Sequence, residues 1–238
     1  MKAFLLKLMR TLHKRIASQY VVVLGDSHAQ IFGHDLLRIL FPSKIFDVCS
    51  VGGATVSGLD NPNSKTGALE TFRMKLETAP NGSRVIVMLG EVDTGFVIWY
   101  RAEKYGESVE AMLKKAIDNY SAFISEISTH HKPIVISTPL PTITDNNDWG
   151  EVANVRKEVS VDQFVRTRLT LKFNTAVKAW CLEHSVPYLD LDTESLGEDG
   201  LVTPMLLNHD HRDHHYDPKK HIRLIVPKLR SVLRRVSQ

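Results

Sequence analysis

The sequence predicts an α/β protein, a three-layer α/β/α sandwich on a parallel five-stranded sheet. Three observations carry this. Five short β-branched runs have nearly continuous apolar residues, the pattern of strands buried on both faces. Helical stretches separate them, giving the order βαβαβαβαβα that a parallel sheet with crossover helices requires. The 238-residue chain is 43% hydrophobic and 24% charged, a globular composition that excludes disordered, collagen-like and disulfide-stapled classes.

Residues 1–19 come first. Phe4, Leu5, Leu8, Met9, Leu12 and Ile16 recur at helical spacing, interrupted by Lys7, Arg10 and Lys14, so the segment is an amphipathic helix and not the apolar core of a signal peptide. An acid-poor amphipathic start is also the pattern of an organelle transit peptide; the expectation is a retained helix that packs on the domain or lies on a membrane surface. Strands follow at 20–24 (YVVVL), 45–49 (IFDVC), 84–89 (RVIVML), 133–137 (PIVIS) and 186–189 (VPYL), with helices at 29–41, 66–77, 108–129, 161–184 and 219–236. No repeat or linker interrupts 20–238, which reads as one domain. The stretch 138–160, rich in Pro, Asn, Asp and Gly, reads as a surface loop or lid.

No apolar run approaches the roughly 20 residues that span a bilayer. Cys49 and Cys181 lie in apolar stretches with no metal or disulfide spacing; they leave the redox compartment open and favour a reducing one, a cytoplasmic location is expected, and Cys49 reads as a structural thiol. Residues 1–19 hold five Lys/Arg and residues 219–238 hold seven, with no acid in either, so 18 basic residues face all 27 acidic ones in between. Two basic ends on an acidic body point away from a nucleic-acid groove. Both ends are amphipathic helices with solvated basic faces, or together they contact an anionic membrane peripherally.

In doubly wound sheets ligands sit beyond the carboxyl ends of the strands. The first strand ends in Gly25-Asp26-Ser27-His28 and runs directly into a helix. The glycine permits a tight turn, and a serine at a helix N-terminus exposes its hydroxyl beside unpaired N–H groups that stabilise an anion. Asp26 or Ser27 as a simple helix cap is the plainer account of that turn alone. The second strand ends in Ser50-Val51-Gly52-Gly53-Ala54-Thr55, and Asp210-His211-Arg212-Asp213-His214-His215-Tyr216-Asp217-Pro218 precedes the last helix. Serine early, a glycine-rich turn next and Asp/His last form an acyl-transfer constellation.

These residues resemble the SGNH (GDSL-like) hydrolase family. Gly25-Asp26-Ser27 resembles its nucleophile block, and Val51-Gly52-Gly53-Ala54-Thr55 its second block, with Gly53 at the oxyanion-donating glycine. Leu89-Gly90-Glu91-Val92-Asp93 falls where the family has Gly-x-Asn-Asp, and His215-Tyr216-Asp217-Pro218-Lys219-Lys220-His221 is similar to the stretch from its catalytic His into the last helix. The resemblance runs from Tyr20 to the C-terminus and implies a flavodoxin-like, SGNH-type sheet. It also implies Ser27 as nucleophile, His215 as base, no organic cofactor, and O-acyl esters of carbohydrates, lipids or thioesters as substrates. The alternative is a non-catalytic relative that binds a carbohydrate or a partner in the same pocket.

Two departures stand out. Val92 occupies the position of the family's third oxyanion donor and has no donor to offer. The family's Asp-x-x-His would place its acid where Arg212 stands; Asp213 lies two residues before His215 and Asp210 five before, and Asp213 is favoured. Glu91 and Asp93 are expected at the substrate side with Asp26 and Gly53, or paired with an arginine such as Arg101. His209, His211, His214, His215 and His221 with Asp210, Asp213 and Asp217 are metal-ligand types, but their spacing fits no closed zinc pattern, and no metal is expected. A Gly-x-Ser-x-Gly elbow, a Gly-x-x-x-x-Gly-Lys loop and a Gly-x-Gly-x-x-Gly turn are all absent. Trp99-Tyr100 reads as packing, and Phe164, Leu169, Leu171, Phe173, Val177 and Trp180 as a buried helix face.

Overall fold

In the computed structural model, which describes residues 19–144, 161–210 and 212–235, all five strands are parallel in the order β2-β1-β3-β4-β5. They are β1 (Gln19–Gly25), β2 (Lys44–Ser50), β3 (Arg84–Met88), β4 (Lys132–Ile136) and β5 (Tyr188–Leu189). The period-2 pleat explains why the strand sequences are apolar throughout. Val22, Leu24, Val85, Val87 and Val135 face one core with Phe72, Tyr120, Phe123, Ile124, Phe173 and Val177. Their strand neighbours Val21, Val23, Ile86, Met88, Ile134 and Ile136 face a second core with Phe32, Leu37, Ile222, Ile225 and Leu229. Each fully buried aliphatic side chain contributes about 1.5–3 kcal/mol, so both sheet faces are committed to helices.

The helices are α1 (Asp35–Leu40), α2 (Ala68–Glu77), α3 (Ile98–Tyr105), α4 (Val109–Ser128), α5 (Gln163–Glu183), α6 (Asp192–Ser195) and α7 (Pro218–Arg235). Ser108 and Asp162 cap α4 and α5 by accepting the N–H of Ala111 and Val165. The helix expected over 29–41 is two pieces, a 3-10 helix Ser27–Gly33 and then α1, because His34 is extended and its ring nitrogen caps α1 by accepting the Leu36 N–H. The last strand begins at Tyr188 and not at 186. Phe164 is about half exposed and lies outside the buried face of α5, whereas Leu169, Phe173 and Val177 are buried. Trp99 packs against the first core and donates Nε1–H to the Thr94 carbonyl. Both cysteines are free thiols, and burial pushes Cys181 up to about 12 and Cys49 upward.

The expectation of a surface loop from 138 fails over its first part. Residues 138–143 are buried, which is possible because partners meet their backbone groups. Thr138 exchanges hydrogen bonds with the Asn174 amide, Gln163 donates to the Pro141 carbonyl, and Arg166 donates to the Ile143 carbonyl. Residues 145–160, and with them the rest of that expected lid, lie outside the described residues, as does the amphipathic helix expected over 1–19 except Gln19. Among the described residues no helix is long and apolar enough to cross a membrane.

Candidate active site

Strand order places the crevice. In a 2-1-3-4-5 sheet the connections reverse between β1 and β3, and the loops leaving those strands diverge there. Gly25 ends β1 against the Met88 carbonyl of β3, and a Cβ on it would overlap that oxygen and sit 2.6 Å from Ala29 Cβ. Only glycine permits the turn. Asp26 then caps the 3-10 helix, its Oδ1 accepting the His28 N–H at 2.9 Å and facing His28 Nδ1 at 3.2 Å. Ser27 is thereby held at the first helical position.

The segment before α7 delivers the partner groups. His215 Nε2 lies 2.8 Å from Ser27 Oγ, and His215 Nδ1 lies 2.6 Å from Asp213 Oδ1. The same Asp213 oxygen accepts the His215 N–H at 3.0 Å, and Oδ2 accepts Asn208 Nδ2 at 2.9 Å. Partial burial raises the Asp213 carboxyl, but the hydrogen bonds and charge of His215 outweigh it, and the group lies below the usual aspartate range. Asp210 shapes the turn instead: its carboxylate accepts the Arg212 N–H and its carbonyl the Asp213 N–H. Asp217 caps α7 through the Lys220 N–H. Buried loop residues clamp the segment from below, Thr142 donating to the His214 carbonyl at 2.6 Å and Leu140 N–H donating to Tyr216 OH at 2.7 Å. His221, in the first turn of α7, is buried and pushed down to about 3 by desolvation and by His28 and His215, so it stays neutral and adds no charge behind His215.

Two hydrogen bonds join the second block to the Gly25-Asp26-Ser27 turn, Val51 N–H to the Gly25 carbonyl at 2.9 Å and Ser50 Oγ to the Asp26 carbonyl at 2.7 Å. Gly53, just beyond, is exposed with φ +71°, and no described residue accepts its N–H or that of Ser27. At the third block Gly90 has φ +120°, and a Cβ there would meet Phe173 and Thr138 at 2.7 Å. A π-helical turn, Asp93–Val97, follows and runs into α3; such turns often mark functional sites.

Three residues expected at the substrate side lie beneath it. Asp26 and Glu91 are almost wholly buried and Asp93 completely so. Asp93 accepts the N–H groups of Val56 and Ser57 at 2.8 and 2.9 Å, while Arg101 donates to the Ser57 carbonyl. It therefore ties the third block to the second, and burial pushes it up to about 6 against those hydrogen bonds and the Arg101 charge. His28, Asn208, Thr142 and Tyr216 were missed in the sequence. His28 and Tyr216 carried a signal, their places immediately after Ser27 and His215; Asn208 and Thr142 depend on long-range contacts. A cleft of about 390 Å³ opens beside Ser27, lined by Gln30, Ile31, His34, His215 and Tyr216.

No protein-family model matches the chain, and no curated protein matches it. Solved structures do. A GDSL-like lipase from Bacteroides thetaiotaomicron VPI-5482 superposes with a TM-score of 0.60 at 12% identity, over 97% of this chain and 98% of that one. The acetyl xylan esterase AlAXEase gives 0.57 at 13% identity, over 90% and 98%. An extracellular lipase from Streptomyces rimosus gives 0.54 at 15% identity, over 90% and 99%. The chain has the SGNH-hydrolase fold.

Proposed function

We propose that the protein is a serine-dependent ester hydrolase or acyltransferase of SGNH type, acting on O-acyl esters of small molecules or glycans. The observation that carries this is the chain Ser27 Oγ to His215 Nε2 at 2.8 Å and His215 Nδ1 to Asp213 Oδ1 at 2.6 Å. Asp213 accepts Nδ1–H and so holds the imidazole in the tautomer whose Nε2 lone pair faces the hydroxyl. Ser27 Oγ attacks the acyl carbon as its proton passes to His215 Nε2, and the N–H groups of Ser27 and Gly53 stabilise the oxyanion. His215 then protonates the leaving oxygen. The acyl-enzyme is released to water in hydrolysis, or to a second hydroxyl in transfer.

The cleft, about 390 Å³ and lined by Ile31 and Pro218 together with Gln30 and His34, supports a small acyl ester. Esterases and lipases among proteins of the same fold, one of them the acetyl xylan esterase AlAXEase, agree with this chemistry. A fluorophosphonate probe tests the reading. It should label wild type at Ser27 and leave Ser27→Ala unlabelled; labelling that persists in the alanine variant, or none in folded wild type, overturns it and favours a non-catalytic binding module.

A further inference from the structure

We propose that His28, His214 and His215 form a divalent-metal site, suited to Zn2+, whose occupation excludes the Ser27–His215 hydrogen bond. One nitrogen from each imidazole lies within 4.8 Å of the other two. The ring centroids are 5.6 Å apart for His28 and His214, 4.6 Å for His28 and His215, and 4.2 Å for His214 and His215. Tetrahedral zinc with Zn–N bonds of about 2.0–2.1 Å needs nitrogens about 3.3 Å apart. Closing that difference takes at most about 1.5 Å, and it falls to the side-chain torsions of His214 and His215, both half-buried, since the backbone of the segment is held by Thr142 and Tyr216.

The groups behind the rings make this more than a histidine cluster. Metal-bound imidazoles characteristically give their second nitrogen to a carboxylate, which fixes the tautomer and raises ligand basicity. Two of the three have that partner: Asp26 Oδ1 at 3.2 Å from His28 Nδ1, and Asp213 Oδ1 at 2.6 Å from His215 Nδ1. In each the carboxylate faces Nδ1, so Nε2 is the nitrogen assigned to the metal. The third, His214, is anchored by its carbonyl to Thr142 Oγ1. Three imidazoles with no carboxylate in the first shell favour zinc, copper or nickel over magnesium or calcium, and a fourth position open to the cleft suits tetrahedral zinc. No metal is expected from the sequence, because the histidines of 209–221 have no closed zinc spacing; His28 lies almost the whole chain away and joins the group only through the fold.

His215 Nε2 has one lone pair. It accepts the Ser27 hydroxyl proton or binds the metal, so a zinc-bound molecule lacks its general base. The binding half of this inference is independent of the proposed function, and the inhibitory half rests on it. Calorimetric titration of untagged, EDTA-stripped full-length protein with zinc chloride should show one ion per chain. Binding should weaken at least about tenfold in both His214→Ala and His28→Gln, each checked for folding by circular dichroism, and should be unchanged in His209→Ala. Zinc at saturation should slow fluorophosphonate labelling of Ser27 in wild type at least about tenfold, and EDTA should restore it. No stoichiometric binding, or binding retained in both variants, overturns the site; labelling that proceeds unslowed with zinc bound overturns the exclusion. Wild type that fails to label even without zinc refutes the hydrolase reading, and the titration still decides the metal site.

Discussion

At position 92 the side chain offers a developing oxyanion nothing, since valine stands half-buried where the SGNH pattern places an amide. One such donor is worth about 100- to 1,000-fold in turnover. Val92→Asn should therefore raise kcat on p-nitrophenyl acetate by about tenfold or more; an unchanged or lower rate in a folded variant would show that the oxyanion site is completed by another group. The acid is a second single-residue matter. Asp213→Asn removes the acceptor that selects the His215 tautomer and should lower kcat on the order of 1,000-fold with little change in KM. Asp210→Asn, touching only backbone N–H and turn geometry, should stay within about tenfold of wild type. Equal losses in the two would remove the distinction. That Ser27, His215 and Asp213 meet was legible in sequence, because each follows a strand or precedes a helix at a conspicuous motif. The burial of Asp26, Glu91 and Asp93 was not, because a carboxylate in a loop looks the same whether it faces solvent or caps a buried N–H.

Among the elements, the π-helical turn Asp93–Val97 and the buried stretch 138–143 do the positioning, and neither has a periodic signature. The first is held by Thr94, whose hydroxyl donates to the Gly90 carbonyl and accepts from Thr170 of α5 at 2.8 Å. The second supports the His215 segment through Thr142 and Tyr216. Sequence patterning recovers all five strands because hydrophobic continuity is a local property, and misjudges 138–143 because its burial depends on side-chain partners far along the chain. Asp93 makes the first element testable. Its folded pKa, about 6, lies above the ordinary value of 3.8, so between those pH values the native state binds more protons than the unfolded state. Its contribution to stability is present at pH 4, falls as pH rises towards 6, and is flat above. Measured by urea unfolding, the stability of wild type relative to Asp93→Asn should fall by about 2 kcal/mol between pH 4 and pH 7. A constant or rising difference would show that Asp93 is not the titrating group.

Across the whole molecule, α7 packs against β5, α1 and the 3-10 helix that follows β1, with Ile222, Ile225, Val226, Leu229 and Leu233 buried in the second core. That packing orients the basic C-terminal segment. Lys219, Arg223, Arg230 and Arg234 face outward, although Lys228 pairs with Glu194 and Arg230 also donates to the Leu40 carbonyl. The apolar face of α7 is therefore spent on the fold, and any membrane contact by this helix is electrostatic, at about 1 kcal/mol per basic residue near the surface. Insertion between lipids would fall to Phe4, Leu8 and Leu12 of the basic N-terminal segment. Liposome co-sedimentation separates this from a purely structural role. Binding to anionic vesicles should appear at low salt, decline as salt screens the charges, and weaken both on deletion of residues 1–18 and in Arg223→Glu combined with Arg234→Glu. Those two positions are exposed and apart from Ser27, so the double variant should still be labelled by fluorophosphonate. Equal partitioning onto neutral and anionic vesicles, or no sedimentation with either, would leave the basic ends with solubility and packing as their only roles.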